Sequence, residues 1–185
     1  EIAQCLVGSE MCIRDRYIED LIDCLVQKLI QNSFNIYSGN GRGLGEIVVA
    51  QVNKHSAEKH FVNRPLIFTN DTNEEKDAKN RLIMKDCDTM IVVGGQDESL
   101  TSSKNVINQY FTFVNNSEGK KYPLVIPIPS TGYAAQEIFN SEEFRHSNVF
   151  QTNQKLFTEL GNTTEIEYIV HLLVNLIMSY KTEKV

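Results

Sequence analysis

A glycine-rich stretch carries the strongest chemical signal in this 185-residue sequence. Four glycines alternate with other residues, in the order Ser38, Gly39, Asn40, Gly41, Arg42, Gly43, Leu44 and Gly45. Because glycine tolerates positive φ and lets the backbone approach a ligand, successive N–H groups there can point at one anion. The spacing is GxGxGxG rather than GxGxxG, and no Walker lysine follows. We expect a phosphate or ribose site here; the alternative is a simple tight connection.

Two other loops have residues of the same kind. The first comprises Gly94, Gly95 and Gln96 and follows an apolar run; the second comprises Ser130, Thr131, Gly132 and Tyr133. A diglycine after a strand permits close approach to a ligand, and hydroxyls with amides at a helix start favour anions. The alternatives are an ordinary strand end in the first loop and plain helix capping by Thr131 in the second. The Tyr133 ring is expected either to stack on a base or to pack.

Residues for catalysis or metal binding form no recognisable pattern. The serines and the four histidines lack a nucleophile elbow or triad context, and Glu46 fits a first-turn acid better than a general base. The four cysteines include no CxxC pair, so we expect no zinc site and no cofactor. Cys24 and Cys87 lie in apolar stretches and are predicted to be buried free thiols, which suits a reducing cytosol.

The elements that position these loops can be predicted from periodicity. Helical spacing of apolar residues predicts a helix over residues 17–31, a short strand follows at 34–37, and a helix at 46–53 completes a β-loop-α unit. Further strands are predicted at 66–68, 89–93 and 123–128, and further helices at 106–114, 131–139 and 165–180, with a polar loop at 96–103. A helix ending near Lys85 is predicted after a polar stretch. Thr131 is the expected N-cap of one helix, and Thr164 with Glu167 resembles a capping box for the last.

Alternation of strands and helices predicts the α/β class, as a single Rossmann-like domain with a doubly wound, mainly parallel sheet. Ligands of such sheets bind beyond the carboxyl ends of the strands, where all three candidate loops are expected. The formal net charge of −6 argues against a broad nucleic-acid surface. We find neither an apolar run long enough to span a membrane nor a signal peptide, and therefore expect a cytoplasmic protein.

The first sixteen residues are set apart from this domain. The letters CLVGSEMCIRDR resemble a translated sequencing-adapter remnant, so we expect the domain to occupy residues 17–185. The other interpretation makes residues 2–7 a first strand, with Gly8 and Ser9 as its turn.

Four segments resemble, in order, the SLOG superfamily, named for Smf/DprA and the LOG nucleotide hydrolases. They are LIQNSFNIYSGNGRGLGEIVV, RPLIF, NRLIMKDCDTMIVVGGQ and YPLVIPIPSTGYAAQEIF. The order is similar to the C-terminal SLOG sensor of Thoeris antiphage effectors, in which a sirtuin-type NADase precedes the sensor. The resemblance covers roughly residues 17–180.

This resemblance implies a sensor rather than an enzyme. In that family the SLOG domain binds a cyclic ADP-ribose isomer, the effector rearranges as an oligomer, and the linked NADase destroys NAD. Carried over by position, the ligand contacts are the glycine-rich stretch, Lys79 and Arg81, the Gly94 loop and the Ser130 loop. Gln96 and Gln109 depart from the family, which often has a cation and a glutamate at these positions, so a diphosphate meets fewer charges.

The resemblance therefore implies a nucleotide ligand, a homo-oligomer and an NADase domain upstream, with no nucleic-acid or membrane partner. One alternative is a LOG-like phosphoribohydrolase that cleaves an N-glycosidic bond. Proteins of that group resemble one another in a PGGxGTxxE motif, whose glutamate supports the reaction. This chain reads VGGQDESLTSS and lacks the matching glutamate. Another is a DprA-like DNA-binding module, which the acidic balance disfavours.

Overall fold

The computed structural model describes residues 2–39, 43–64, 71–72, 74–75, 78–79, 81, 87–95, 101–115 and 123–182. The elements in the first half are α1 (Ile2–Gln31), β1 (Ile36–Gly39), α2 (Leu44–Lys54), β2 (Phe61–Arg64), β3 (Thr89–Val93) and α3 (Thr101–Asn115). In the second half they are β4 (Leu124–Ile128), α4 (Tyr133–Asn140), α5 (Glu142–Arg145), α6 (Asn148–Thr152), α7 (Gln154–Gly161) and α8 (Ile166–Thr182). Short 3₁₀ turns, Glu58–His60 and Pro129–Thr131, precede β2 and α4. The described part is a helix-rich α/β fold.

The described strands form two parallel pairs. Strand β1 lies beside β2, with Ile36 opposite Phe61 and Gly39 opposite Arg64. Strand β3 lies beside β4, with Thr89 opposite Leu124 and Val93 opposite Ile128. The expectation of parallel pairing is confirmed for these strands, but they form two two-stranded sheets rather than one continuous doubly wound sheet.

The core lies between the strands and two long helices. Every residue of β4 is buried, as the continuous apolar run predicts for a strand that is covered on both faces. Helix α1 packs on α2 and α8. The buried faces of α1 and α8 consist of Leu21, Ile22, Leu25, Val26, Leu29, Ile169, Val170, Leu172, Leu173, Leu176 and Ile177. Burying one such side chain contributes about 1.5–3 kcal/mol, so this helix pair accounts for much of the stability.

Several predicted boundaries need correction. Helix α1 begins at Ile2, so the interpretation of residues 2–7 as a strand is wrong. Strand β1 begins two residues later than predicted and ends at the first glycine of the loop. Residues 101–103, predicted as the end of a polar loop, belong to α3. The predicted strand 66–68 and the helix end near Lys85 lie outside the described residues.

The helices α5, α6 and α7 were not predicted. The Ser141 and Ser147 hydroxyls cap two of them by accepting hydrogen bonds from the backbone N–H groups of Phe144 and Phe150, each over 3.2 Å. Their aromatic residues pack together: Phe144 lies edge-on to Phe157, with ring centroids 5.2 Å apart. These helices are too short for apolar periodicity to show, because each completes only one or two turns.

The last helix is confirmed, but its predicted cap is wrong. Helix α8 begins at Ile166, one residue later than predicted, and the Thr163 hydroxyl rather than that of Thr164 accepts the N–H of Glu165 over 3.2 Å. Within the described ranges, no helix has the length and apolar character to cross a lipid bilayer. Cys24 and Cys87 are free thiols, as predicted, but they are half-buried rather than fully buried.

Candidate functional site

The loops after β3 and β4 are joined through the buried hydroxyl of Thr131. This hydroxyl accepts a hydrogen bond from the Gly94 N–H over 2.8 Å and donates one to the Ile128 carbonyl over 2.6 Å. The Gly94 carbonyl in turn accepts the N–H of Ala135, in the first turn of α4, over 3.0 Å. Thr131 is therefore not the N-cap that the sequence predicts, because the 3₁₀ turn places it before Gly132, which occupies the cap position.

Positive φ angles concentrate at this junction. Gly94 and Gly95 have φ of 57° and 105°, and Gly132 and Tyr133 have φ of 76° and 51°. A Cβ at Gly95 would lie 2.9 Å from the Ala134 Cβ, so glycine is required there for α4 to pack against β3. Packing against α4 therefore explains the glycine at position 95 whether or not the loop also binds a ligand.

Tyr133 combines a strained backbone with an accessible ring. Positive φ is uncommon for a non-glycine residue and costs about 1–2 kcal/mol. The side chain is nevertheless 42% exposed at the first residue of α4. Such strain persists only where the surroundings fix the backbone, and it is often found at ligand sites. The ring is therefore partly exposed beside the loops after β3 and β4.

Helix α1 reaches the same loops. The Tyr17 hydroxyl donates a hydrogen bond to the Ser130 Oγ over 2.9 Å. The Ile18 Cδ1 lies 3.8 Å from the position that a Cβ at Gly94 would take. Sequence reasoning missed both contacts, because residues so far apart in the sequence are brought together only by the tertiary fold.

The glycine-rich stretch follows β1 and leads into α2. Gly43 has φ 78° and ψ −119°, a region that side-chain-bearing residues avoid, and its carbonyl accepts the Ile47 N–H over 3.2 Å. Ser38 and Leu44 line the same cavity as Val93 at the end of β3. The structure thus brings the beginning and end of this stretch toward β3, and the positive end of the α2 dipole lies at the loop. Asn40, Gly41 and Arg42 lie outside the described residues.

The charged and amide side chains that we expect at the site lie only partly within the described residues. The Lys79 ammonium forms an ion pair with the Asp71 carboxylate over 2.6 Å, and Arg81 is exposed. Gln109 lies half-buried on α3, while Gln96 falls outside the described residues. The contribution of Lys79, Arg81 and Gln109 to a ligand site stays a prediction.

The described residues hold no cluster of three or more side chains suited to a metal ion. Burial raises the pKa of the Cys24 thiol, and nearby carboxylates raise it further, so this sulfur is protonated at neutral pH and is a poor nucleophile. The described residues of the three loops offer backbone N–H groups, hydroxyls and one exposed ring.

The profile of the Sir2- and TIR-associating SLOG family, abbreviated STALD, matches residues 10–180. The chain belongs to the STALD family. This confirms the SLOG resemblance, which was placed on the glycine-rich stretch and the two following loops. Among curated proteins, the STALD chain is similar to the NAD(+) hydrolase ThsA of Bacillus cereus (strain MSX-D12), with 25% identity over 177 residues. The match covers 87% of this chain but only 36% of ThsA, so the chain spans just over a third of that relative.

Proposed function

We propose that this STALD chain is a non-catalytic sensor that binds a NAD-derived nucleotide, a cyclic ADP-ribose isomer or a close relative, in bacterial antiphage defence. Binding would regulate a linked effector, an NADase domain upstream, within a cytoplasmic homo-oligomer. The similarity to an NAD(+) hydrolase supports a link to NAD chemistry.

One observation carries this proposal. All four glycines with positive φ among the described residues, and the exposed Tyr133, lie in the three loops that follow β1, β3 and β4. The other positive-φ residues there, Ser33 and Ser56, each lie just after a helix, where such angles are ordinary. Glycines at three strand ends let the backbone approach a phosphate-bearing ligand at the carboxyl edge of parallel strands.

The chemistry of the loops favours this ligand class. The α2 N-terminus, with Gly43 at its cap position, offers N–H groups to a diphosphate, and the Tyr133 ring offers a face to adenine. Ser130, fixed by Tyr17, adds a hydroxyl for a ribose. Lys79, Arg81 and Arg42 are the cations that we expect to complete the site.

We also propose that the two parallel pairs are parts of one doubly wound sheet, in which the edges of β1 and β3 face each other. The three loops would then lie along one edge of that sheet and converge on one ligand.

Thermal unfolding of the chain with cyclic ADP-ribose isomers, ADP-ribose, NAD and AMP tests the sensor proposal. A ligand at one hundred times its Kd adds about 2.7 kcal/mol, equivalent to about 5–10 °C in Tm for a chain of this size. We expect one cyclic isomer to give this shift without being consumed. A Tm unchanged by all of these nucleotides would contradict the proposal, and conversion of AMP to adenine would show a phosphoribohydrolase instead.

A further inference from the structure

The middle of α1 is joined to the loop after β4 by one side-chain hydrogen bond. The Tyr17 phenol donates to the Ser130 Oγ over 2.9 Å, and both residues are half-buried. The next residue of the helix, Ile18, reaches the loop after β3, where its Cδ1 lies 3.8 Å from the position of a Cβ added at Gly94. Helix α1 therefore contacts two of the three candidate loops from outside them.

The chemistry of the two hydroxyls fixes the direction of this bond. A phenol is more acidic than an aliphatic hydroxyl, which makes it the better donor and the poorer acceptor. A serine hydroxyl has one proton and two lone pairs, so accepting from Tyr17 uses one lone pair and leaves the proton to be donated. Among the described residues, no acceptor takes this proton from Ser130. The Ser130 hydroxyl is thus set as a donor.

The backbone around Ser130 is fixed by other groups. Ser130 lies in the 3₁₀ turn that precedes α4, and the Gly132 N–H closes this turn by donating to the Pro129 carbonyl over 2.9 Å. The next residue, Thr131, ties the turn to the loop after β3 through its buried hydroxyl. Because these bonds hold the backbone, the contribution of Tyr17 is to select one of the three staggered positions of the Ser130 side chain.

We propose that Tyr17 is a positioning residue of the ligand site, which holds the Ser130 hydroxyl so that its proton meets an acceptor oxygen of the bound nucleotide. A ribose oxygen and a phosphate oxygen can each accept this proton. Tyr17 acts through Ser130 and needs no contact of its own with the ligand. A donor that is oriented before binding loses less rotational freedom on binding, so the bond raises affinity without adding a contact. This inference rests on the proposed sensor function and adds to it a residue outside the three loops.

Titration calorimetry with ADP-ribose and the cyclic ADP-ribose isomers, on the parent chain and a set of variants, tests this proposal. Tyr17→Phe keeps the ring and removes the donor, Ser130→Ala removes the hydroxyl that it orients, and the double variant removes both. Tyr168→Phe is the matched control, because it loses a phenol hydrogen bond of the same kind, to Glu159 in the contact between α7 and α8. Thermal unfolding of each variant shows that folded chains are compared.

We expect Tyr17→Phe and Ser130→Ala each to raise the Kd about five- to tenfold, the effect of one lost hydrogen bond. The double variant should bind within about twofold of Ser130→Ala alone, because Tyr17 acts through that hydroxyl. Tyr168→Phe should bind as the parent does. Competition by adenosine and by inorganic pyrophosphate then distinguishes the two acceptors, since Tyr17→Phe should weaken only the competitor that carries the acceptor oxygen.

Two results would overturn the role of Tyr17 and leave the sensor function standing. One is binding by either single variant that equals binding by the parent. The other is an equal loss from Tyr17→Phe with and without the Ser130 hydroxyl, which would show that the phenol supports the fold but does not orient the serine. A folded parent that binds none of these nucleotides would overturn the sensor function and, with it, this proposal.

Discussion

The hydroxyl of Thr131 connects the ends of two strands at a position with no solvent exposure. It satisfies the Gly94 N–H and the Ile128 carbonyl at once. Because buried polar groups without a partner are costly, this side chain fixes where the backbone of the loop after β3 lies. The position of the candidate site thus depends on Thr131, whose hydroxyl is buried and hydrogen-bonded within the protein.

Replacing this hydroxyl by a methyl group tests its role. Thr131→Val keeps the shape of the side chain but leaves two buried groups unpaired, and we expect the free energy of unfolding to fall by about 1–3 kcal/mol. Urea denaturation measures it. Thr152→Val, at an exposed threonine, is the matched control and should change stability by less than about 0.5 kcal/mol. Equal small effects of both substitutions would contradict this account of Thr131.

Alanine substitutions at two glycines with positive φ distinguish the cost of backbone strain from the cost of steric crowding. Around Gly43 no heavy atom lies within 4 Å of an added Cβ, whereas at Gly95 the Ala134 Cβ lies 2.9 Å away. Gly43→Ala should cost only backbone strain, about 1–3 kcal/mol, while Gly95→Ala should cost more because α4 must also shift. Urea midpoints compare the two. A loss at Gly43 equal to or greater than that at Gly95 would show that the packing contact is unimportant.

At the scale of elements, Asp23 on α1 holds the C-terminal end of α2. Its carboxylate contacts the Lys54 ammonium at 2.6 Å and the His55 ring nitrogen at 2.5 Å. These two hydrogen bonds, the one from Lys54 being the larger, hold the pKa of Asp23 below its ordinary value of 3.8. Since α2 carries the glycine-rich stretch at its other end, this contact helps to fix the loop.

The lowered pKa of Asp23 predicts that this contact stabilises the fold less at low pH. The folded state binds the proton less readily than the unfolded chain, so the stabilisation is complete above about pH 4 and is lost as pH falls through the lowered pKa. Asp23→Asn should lower stability at pH 7 by less than about 1 kcal/mol, because the pair is partly solvated, and should have less effect at pH 2–3. Urea denaturation at both pH values measures this. Asp20→Asn, at an exposed position of the same helix, should show no such difference; an equal effect of Asp23→Asn at both pH values would contradict the pairing.

The aromatic cluster between α4 and α7 holds the unpredicted helices in place. Phe144 is 1% exposed and contacts Phe139, Phe150 and Phe157. We expect Phe144→Ala to lower the free energy of unfolding by about 3–5 kcal/mol through lost burial and a cavity. Phe111→Ala, at a ring that is 39% exposed, is the control and should cost much less. Chemical denaturation of both variants checks this, and similar losses would show that the cluster does not anchor these helices.

Across the whole molecule, sequence reasoning succeeded for strands made of a continuous apolar run and for helices with a clear apolar face. The apolar runs of β3 and β4 located both strands to within one residue, and the periodicity of α8 located the last helix. Gly43, Gly94, Gly95 and Gly132 have positive φ, which glycine adopts without a steric penalty. Thr131 was misassigned because a 3₁₀ turn displaced the helix start, and the Tyr17–Ser130 bond has no local signal. The strand pairing into two sheets is likewise decided by tertiary packing.

The sensor proposal concerns the whole chain, because its ligand must meet loops from three separate strand ends. Isothermal titration calorimetry of the chain with a cyclic ADP-ribose isomer tests it most directly. Gly43→Asp places a carboxylate where the proposed diphosphate meets the α2 N-terminus, and Ala50→Asp adds the same charge at an exposed position on the same helix. We predict a Kd on the order of micromolar or tighter for the parent and for Ala50→Asp, and no measurable binding for Gly43→Asp. Absence of heat for every cyclic isomer with a folded parent chain, or unchanged binding by Gly43→Asp, would contradict the proposed site.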